Sequence, residues 1–449
     1  MASHVGRLKR SGKSALIKGA LATGALSMAL AAVGTSSASA STQPHAKKAS
    51  VVNLTFWSWV PGISASVDLW NKTHPNIHVT LDETTSGQAG TYAKMFSALN
   101  AGNAPDLGQV EYPIIPNFEH VGGLVDLSKY GANKYKSQFV PWTWKQVTLG
   151  NAVYAIPQDT GPMGLFYRAD LFKKYHLVVP KTWAQYLADA KKLHQESPTS
   201  YISAFPSTDS GWFSALAWQA GAKWFTTKGS TWHVSLNDPA TIKVAKYWQN
   251  LVANKLVKVE PDFATGWYKD LSDGTLLTWP TAVWGENTLV TNAAPTKGDW
   301  RVAPMPSWGG KPSNGNWGGS TTVVFKDSKH PAQAAQFAEW LNTNQQSITS
   351  LITKGGLYPA NIKGQSQKAD NSPVAFYGNQ NIYKVFKAGS KIVNTNFLWG
   401  PIMDTTLTEM SDGLSKASAG TGTLQGAIAS TQSQTLNAMK SQGFSVAAG

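Results

Sequence analysis

Residues 150–172 read GNAVYAIPQDTGPMGLFYRADLF. Val153 to Ile156 is a short apolar run closed by Pro157, and Met163 to Tyr167 is a second one leading to a helix start at Asp170. Between them stand the polar pair Gln158 and Asp159 and the breakers Thr160, Gly161 and Pro162. Two strands joined by a polar, Pro/Gly-bracketed link mark a place where the backbone leaves one lobe and enters another. A carboxylate at such a link stands at the mouth of whatever lies between the lobes.

The chain on either side supports that reading. At 449 residues it is long enough for two cores. Arg7, Lys9, Arg10, Lys13 and Lys18 precede a small, apolar segment from Gly19 to Val33, and Ala38-Ser39-Ala40 has the form of a signal peptidase site. Residues 1–40 therefore read as an export signal, and residues 41–50 as a polar, disordered leader. Nothing later reaches the roughly 18 apolar residues of a membrane span. There is no cysteine, which excludes disulfides, thiol catalysis, thiolate metal sites and a lipidated cysteine. The expectation is an exported protein without a lipid anchor.

The formal charge of +14 drops to +9 once the five bases of the export signal are removed. The remaining lysines are scattered, and Arg168 and Arg301 are the two arginines left. A nucleic-acid binder would show a basic stripe instead, so no nucleic-acid partner is expected. No metal-ligand motif is read from the histidines, and neither a metal nor another cofactor is expected. The aromatic load is high, with 19 Trp, 14 Tyr and 16 Phe against 14% charged residues.

Order along the chain predicts the architecture. Val52 to Trp57 reads as a strand, and Ile63, Val67 and Trp70 define a helical face. Asn76 to Leu81 alternates as a strand; Tyr92, Phe96 and Leu99 mark a second helix stopped by Gly102; a third strand ends near Glu111. This β-α-β-α-β order predicts a mainly parallel sheet flanked by helices, with ligands outside the carboxyl ends of its strands. Beyond the link, Thr182 with Gln185 predicts a capping box, and Asp238-Pro239 opens a helix with Ile242, Ala245 and Val252 inward. Gly274 to Trp284 is strand-like on either side of Pro280. A Gly/Pro-rich loop through Gly315 precedes a strand over 319–325 and a helix over 331–341. Two helical stretches broken by Gly420 and Gly422 follow.

The ordered motifs WNKTHPNIHV (70–79), SALNAGNAPD (97–106), GGLVDL (122–127), AIPQDTGPMGLFYRADLF (155–172), PKTWA (180–184), VAPMP (302–306) and WGGS (317–320), with residues 329–341, carry a resemblance. The chain resembles the extracellular solute-binding proteins of ABC sugar importers, in the maltose-binding-protein-like group, over roughly 52–444. Thr281-Ala282-Val283-Trp284 keeps that group's Trp but lacks its Gly. The resemblance implies two α/β lobes joined by a multi-crossing hinge. Lobe 1 is expected to comprise 51–159 with 316–356, and lobe 2 to comprise 160–315 with 357–449. It implies a monomeric, non-catalytic receptor that captures a mono- or oligosaccharide and delivers it to the transmembrane subunits of an ABC permease.

A sugar has apolar C–H faces and a rim of hydroxyls, so its site needs flat aromatics and planar polar groups. Glu111 and Asp159 are the candidate hydroxyl acceptors, with Gln88 and Asn316 beside them. Trp284 and Trp317, placed at the cleft by the resemblance, are the leading stacking candidates, next to Gly318. Trp59, Trp212, Trp267 and Trp399 are further candidates, whereas Trp70, Trp183, Trp248 and Trp340 lie on apolar helix faces and read as core. The rival class is a secreted glycosidase with Glu111 and Asp159 as its carboxylate pair; a polyamine or phosphodiester ligand on the same fold is a third reading.

Overall fold

The computed structural model describes residues 50–449, the side chains of Gln88 and Ala89 excepted. The expected export signal and all but the last residue of the expected leader lie outside the described residues. Among the described residues no helix is long and apolar enough to cross a membrane.

Two α/β lobes are each built on their own sheet. The first sheet holds β1 (Val52–Ser58), β2 (Ile77–Glu83), β3 (Leu107–Glu111) and β4 (Ala155–Pro157). The second holds β5 (Met163–Arg168), β6 (Thr278–Ala282) and β7 (Trp300–Ala303), and β8 (Ser320–Val324) then returns to the first. The spatial order is β2-β1-β3-β8-β4 in one sheet and β6-β5-β7 in the other.

Strand direction departs from the mainly parallel expectation. β1 pairs parallel with β2 and β3, joined through the helices α1 (Ser64–Thr73) and α2 (Tyr92–Asn100). β8 runs antiparallel to both β3 and β4, and β5 runs antiparallel to both β6 and β7. Parallel pairing follows from short βαβ crossovers. β8 instead enters from the other lobe, so its direction is set by the link rather than by a crossover helix. Pro280 sits within β6 rather than interrupting it; β6 is an edge strand, where a missing N–H costs no ladder bond.

Helix faces follow the sequence closely. Ile63, Val67 and Trp70 are buried, and Phe96 of α2 stacks on Phe118 at 4.1 Å. In α3 (Trp183–Glu196) the Thr182 hydroxyl accepts from the Gln185 N–H at 3.1 Å. The returning half of the capping box is displaced by one residue, because Gln185 Oε1 accepts from Lys181 N–H at 2.8 Å. Downstream of α4 (Ser210–Ala220), α5 (Pro239–Ala253) is capped by Asp238 as expected. Its buried face is Thr241, Val244, Ala245, Trp248 and Leu251, while Ile242 and Val252 are half-buried. Trp248, packed at 4.7 Å on Trp212 of α4, sets that rotation. α6 (Pro331–Thr343) and α7 (Gln345–Gly355) pack on the first sheet's side, and α8 (Met403–Ser418) and α9 (Leu424–Ser441) close the chain.

Three chain segments run side by side between the sheets. The middle one, 158–162, takes a bond from Ala360 N–H to Gln158 C=O at 3.0 Å and gives one from Thr160 N–H to Tyr358 C=O at 2.8 Å. On its other side Trp317 N–H donates to Gly161 C=O at 2.9 Å, and Gln158 N–H to Ser320 C=O at 3.0 Å. Gly161 is required by contact: a Cβ there would stand 1.8 Å from the Trp317 carbonyl oxygen. Gly161→Ala is therefore expected to cost about 1–3 kcal/mol of stability as the segments are forced apart. At Gly266 an added Cβ would meet open space, so Gly266→Ala should be neutral or stabilising by roughly 0.4–1 kcal/mol. Urea denaturation of the two variants checks both; equal stabilities would remove the steric argument.

Candidate functional site

The carboxyl end of β3, the start of α4, the segment Trp317-Gly318 and one face of α8 enclose a cavity of about 420 Å³. Each wall has a local cause. β3 ends at Glu111, whose carboxylate Oε2 accepts from the Tyr92 hydroxyl at 3.0 Å, while the same hydroxyl accepts from Glu111 N–H at 3.0 Å. Burial pushes the Glu111 carboxyl up, the Tyr92 hydroxyl pulls it down, and the charge of Asp209 adds a smaller upward push. Tyr92 also meets the half-buried Trp59 edge-on at 5.7 Å.

Asp209 caps α4 by accepting from Trp212 N–H at 2.6 Å. It faces Asp262, which burial first and Asp209 second push well above the usual carboxylate range. The two acids are thus disfavoured from both carrying charge in this buried corner. Ser411 of α8 ties this corner down, donating to Thr208 C=O at 2.9 Å. The start of α8 is held to the first lobe, where Asn117 Oδ1 accepts from Met403 N–H at 2.9 Å and its amide donates to Asp404.

The aromatic wall is Trp317, backed edge-on by Trp284 at 4.6 Å. The Trp284 indole N–H donates to Trp317 C=O at 2.9 Å, so ring and crossing segment are locked together. Gly318, at φ +71°, lets the chain turn beside that indole. Phe263 lies 6.0 Å from Trp284 and 6.2 Å from Trp317. It is 42% exposed and holds φ +58°, a left-handed backbone uncommon for an aromatic residue.

Of the residues singled out from sequence, Glu111, Trp317 and Gly318 line this cavity and Trp284 buttresses it. Asp159 does not line it: its Oδ1 accepts from Ser320 N–H at 2.7 Å inside the crossing segments. The Asn316 amide is likewise spent locally, accepting from Gly161 N–H and donating to Gly318 C=O, both at 2.7 Å. Trp212 is core, its indole donating to Pro280 C=O at 2.9 Å. Trp267 is core against Trp279 at 4.8 Å, and Trp399 packs among Trp218, Trp224 and Phe397. Gln88's side chain lies outside those described. Sequence reasoning missed Asp209, Asp262, Phe263 and the face of α8. Asp209 before Ser-Gly-Trp reads as an ordinary helix cap, and no local pattern links it to Asp262.

Residues 57–348 match the family model for bacterial extracellular solute-binding proteins. The chain belongs to that family. Among its relatives, the arabinooligosaccharide-binding protein of Bacillus subtilis (strain 168) is 23% identical, aligned over 72% of this chain and 76% of its own. The lactose-binding protein of Rhizobium radiobacter is 22% identical over 74% and 81%. Among solved structures, the galacto-N-biose-/lacto-N-biose I-binding protein of Bifidobacterium longum superposes with a TM-score of 0.79 at 28% identity, covering 88% of this chain and 99% of its own. The ABC transporter associated binding protein of B. animalis subsp. lactis Bl-04, solved with beta-1,6-galactobiose, gives 0.77 at 28% over the same shares.

Burial holds Asp159 up at about 7. Between the ordinary carboxylate range near pH 4 and pH 7 the folded chain keeps a proton there that the unfolded chain releases, so this residue lowers stability as pH rises through that window. Asp159→Asn keeps an oxygen for Ser320 N–H and removes the charge. It should flatten the decline between pH 4 and 7 and stabilise the protein at pH 8, by at most about 4 kcal/mol. Parallel denaturation series at pH 5 and 8 check this; an unchanged pH slope refutes it.

Proposed function

We propose that this chain is the carbohydrate receptor of an ABC importer: it captures a neutral oligosaccharide between its lobes and presents it to the permease. The supporting observation is the pairing, in one cavity, of the Trp317 face with the acceptors Glu111 and Asp209. A ring takes the C–H face of a pyranose, and carboxylates accept from vicinal hydroxyls. Relatives and structural neighbours named for di- and oligosaccharides support the same ligand class. Lobe 1 comprises 51–159 with 316–356 and lobe 2 comprises 160–315 with 357–449. The protein acts outside the cell as a soluble monomer without a lipid anchor.

The chain binds rather than cleaves. Glycoside hydrolysis needs two carboxyl groups flanking one bond. Asp159, one member of the pair weighed from sequence, is committed to Ser320 and stands behind the cavity wall. Asp209, on the cavity wall, offers an acceptor matched to a hydroxyl donor.

Calorimetry against a panel of neutral di- and oligosaccharides should find a ligand that is recovered intact. Trp317→Ala should weaken it by about 1–3 kcal/mol, roughly 5- to 150-fold in Kd. Unchanged affinity in a folded variant would remove Trp317 from the site, and cleaved sugar would overturn the receptor reading. The same ligand should make the protein more compact, because the cavity walls come from segments joined through the crossings. Small-angle scattering with and without saturating sugar is the measurement, and an identical radius of gyration argues against closure.

A further inference from the structure

A second cavity, of about 220 Å³, lies beside the crossing segment that carries Tyr358 and Ala360, and shares no lining residue with the first. Glu286 reaches it from the helix Gly285–Asn292, Asp370 from the turn Ala369–Asn371, Tyr358 from the crossing itself, and Tyr383 from the helix Tyr383–Ser390. The end of α7 supplies Lys354.

Two buried polar atoms here are not satisfied by the protein. Asp370 and Tyr358 are each only 2% exposed, yet Asp370 Oδ2 and the Tyr358 hydroxyl have no hydrogen-bond partner. A buried carboxylate oxygen without a donor is costly. Among the described residues neither Glu286 nor Asp370 has an ion pair, and Lys354 on the cavity wall pairs with neither. Burial pushes both carboxyls up, Glu286 to about 7 and Asp370, with a further push from Glu286, to about 8. The Tyr358 and Tyr383 rings stand parallel, 6.3 Å apart, beside these acids.

We propose that this cavity is a binding site for a small organic cation, a primary alkylammonium group, held by the carboxylates of Glu286 and Asp370 and the Tyr358 hydroxyl. The ammonium donates three N–H bonds, one for each of the three acceptor groups offered. Its alkyl part and charge both suit neighbouring aromatic rings. The space exceeds the roughly 30 Å³ share of one water several-fold. A hard metal ion fits less well: Ca²⁺ takes about 6–8 oxygen ligands, and among the described residues no group of three or more His, Cys, Asp or Glu could hold a metal. The site stands independently of the carbohydrate reading, since it uses none of the same residues.

Ethylammonium chloride is the probe, added to the full-length exported protein at pH 8 with potassium chloride, magnesium chloride and ethanol as matched controls. Ethylammonium should raise the melting temperature in a saturable manner, whereas the controls should not. It should also move the carboxyl carbon resonances of Asp370 and Glu286 in the unsubstituted protein. Asp370→Asn and Glu286→Gln should each weaken the effect roughly tenfold or more, and Lys354→Ala should leave it intact. Equal stabilisation by potassium or magnesium overturns the proposal, as do unmoved carboxyl resonances. Stabilisation seen only in Lys354→Ala also overturns it, because the protein's own lysine is then the occupant. A sugar that binds normally while ethylammonium fails would sink this inference alone.

Discussion

The backbone bonding of segment 158–162 to neighbours on both sides is the constraint on which the rest depends. Four peptide groups of that segment are committed sideways, to Tyr358 and Ala360 on one flank and to Trp317 and Ser320 on the other. A link made of side-by-side extended segments resists shear and twist but can bend about its own axis. That is the mechanical property a two-lobed binding protein needs. Buried partners reinforce it: the Tyr112 hydroxyl donates to Asp159 C=O at 3.1 Å, and Gln109 Nε2 donates to Ser320 Oγ at 2.9 Å. The groups that form the cavity wall, Trp317 and Gly318, are therefore part of the joint itself.

The cavity joins two unlike demands. Its acids have been taken partly out of water, and burial is the largest cause of the upward push on Glu111, Asp209 and Asp262. The structure limits that cost with single well-placed donors: the Tyr92 hydroxyl for Glu111 and the Trp212 N–H for Asp209. In the proposed function the remaining lone pairs take hydroxyls from outside. The Trp cluster supplies the dry wall that makes such bonds stronger than they would be in water.

How much of this was legible in the sequence depends on how local each cause is. The α1 face, the caps Thr182 and Asp238, and the turn chemistry around Pro157, Gly161 and Pro162 follow from residues a few positions apart, and each is found where expected. Strand direction in β8 and the rotation of α5 are set by partners far along the chain, and there local pattern was misleading. The tryptophans show the same limit. Trp317 and Trp267 look alike as isolated letters, and only the neighbouring Gly318, at positive φ beside the crossing, sets one of them at a wall. Phe263 has no signature at all, because three of the four indoles its ring meets, Trp279, Trp284 and Trp317, lie well along the chain.

The strand order β2-β1-β3-β8-β4 has a temporal meaning as well as a spatial one. The slot between β3 and β4 is filled by residues 320–324, which emerge only after the whole second sheet has been synthesised. Until then the first sheet has an open seam with unpaired strand edges on both sides. Non-local pairing of this kind slows folding. The last strand to arrive is thus the one that closes the joint.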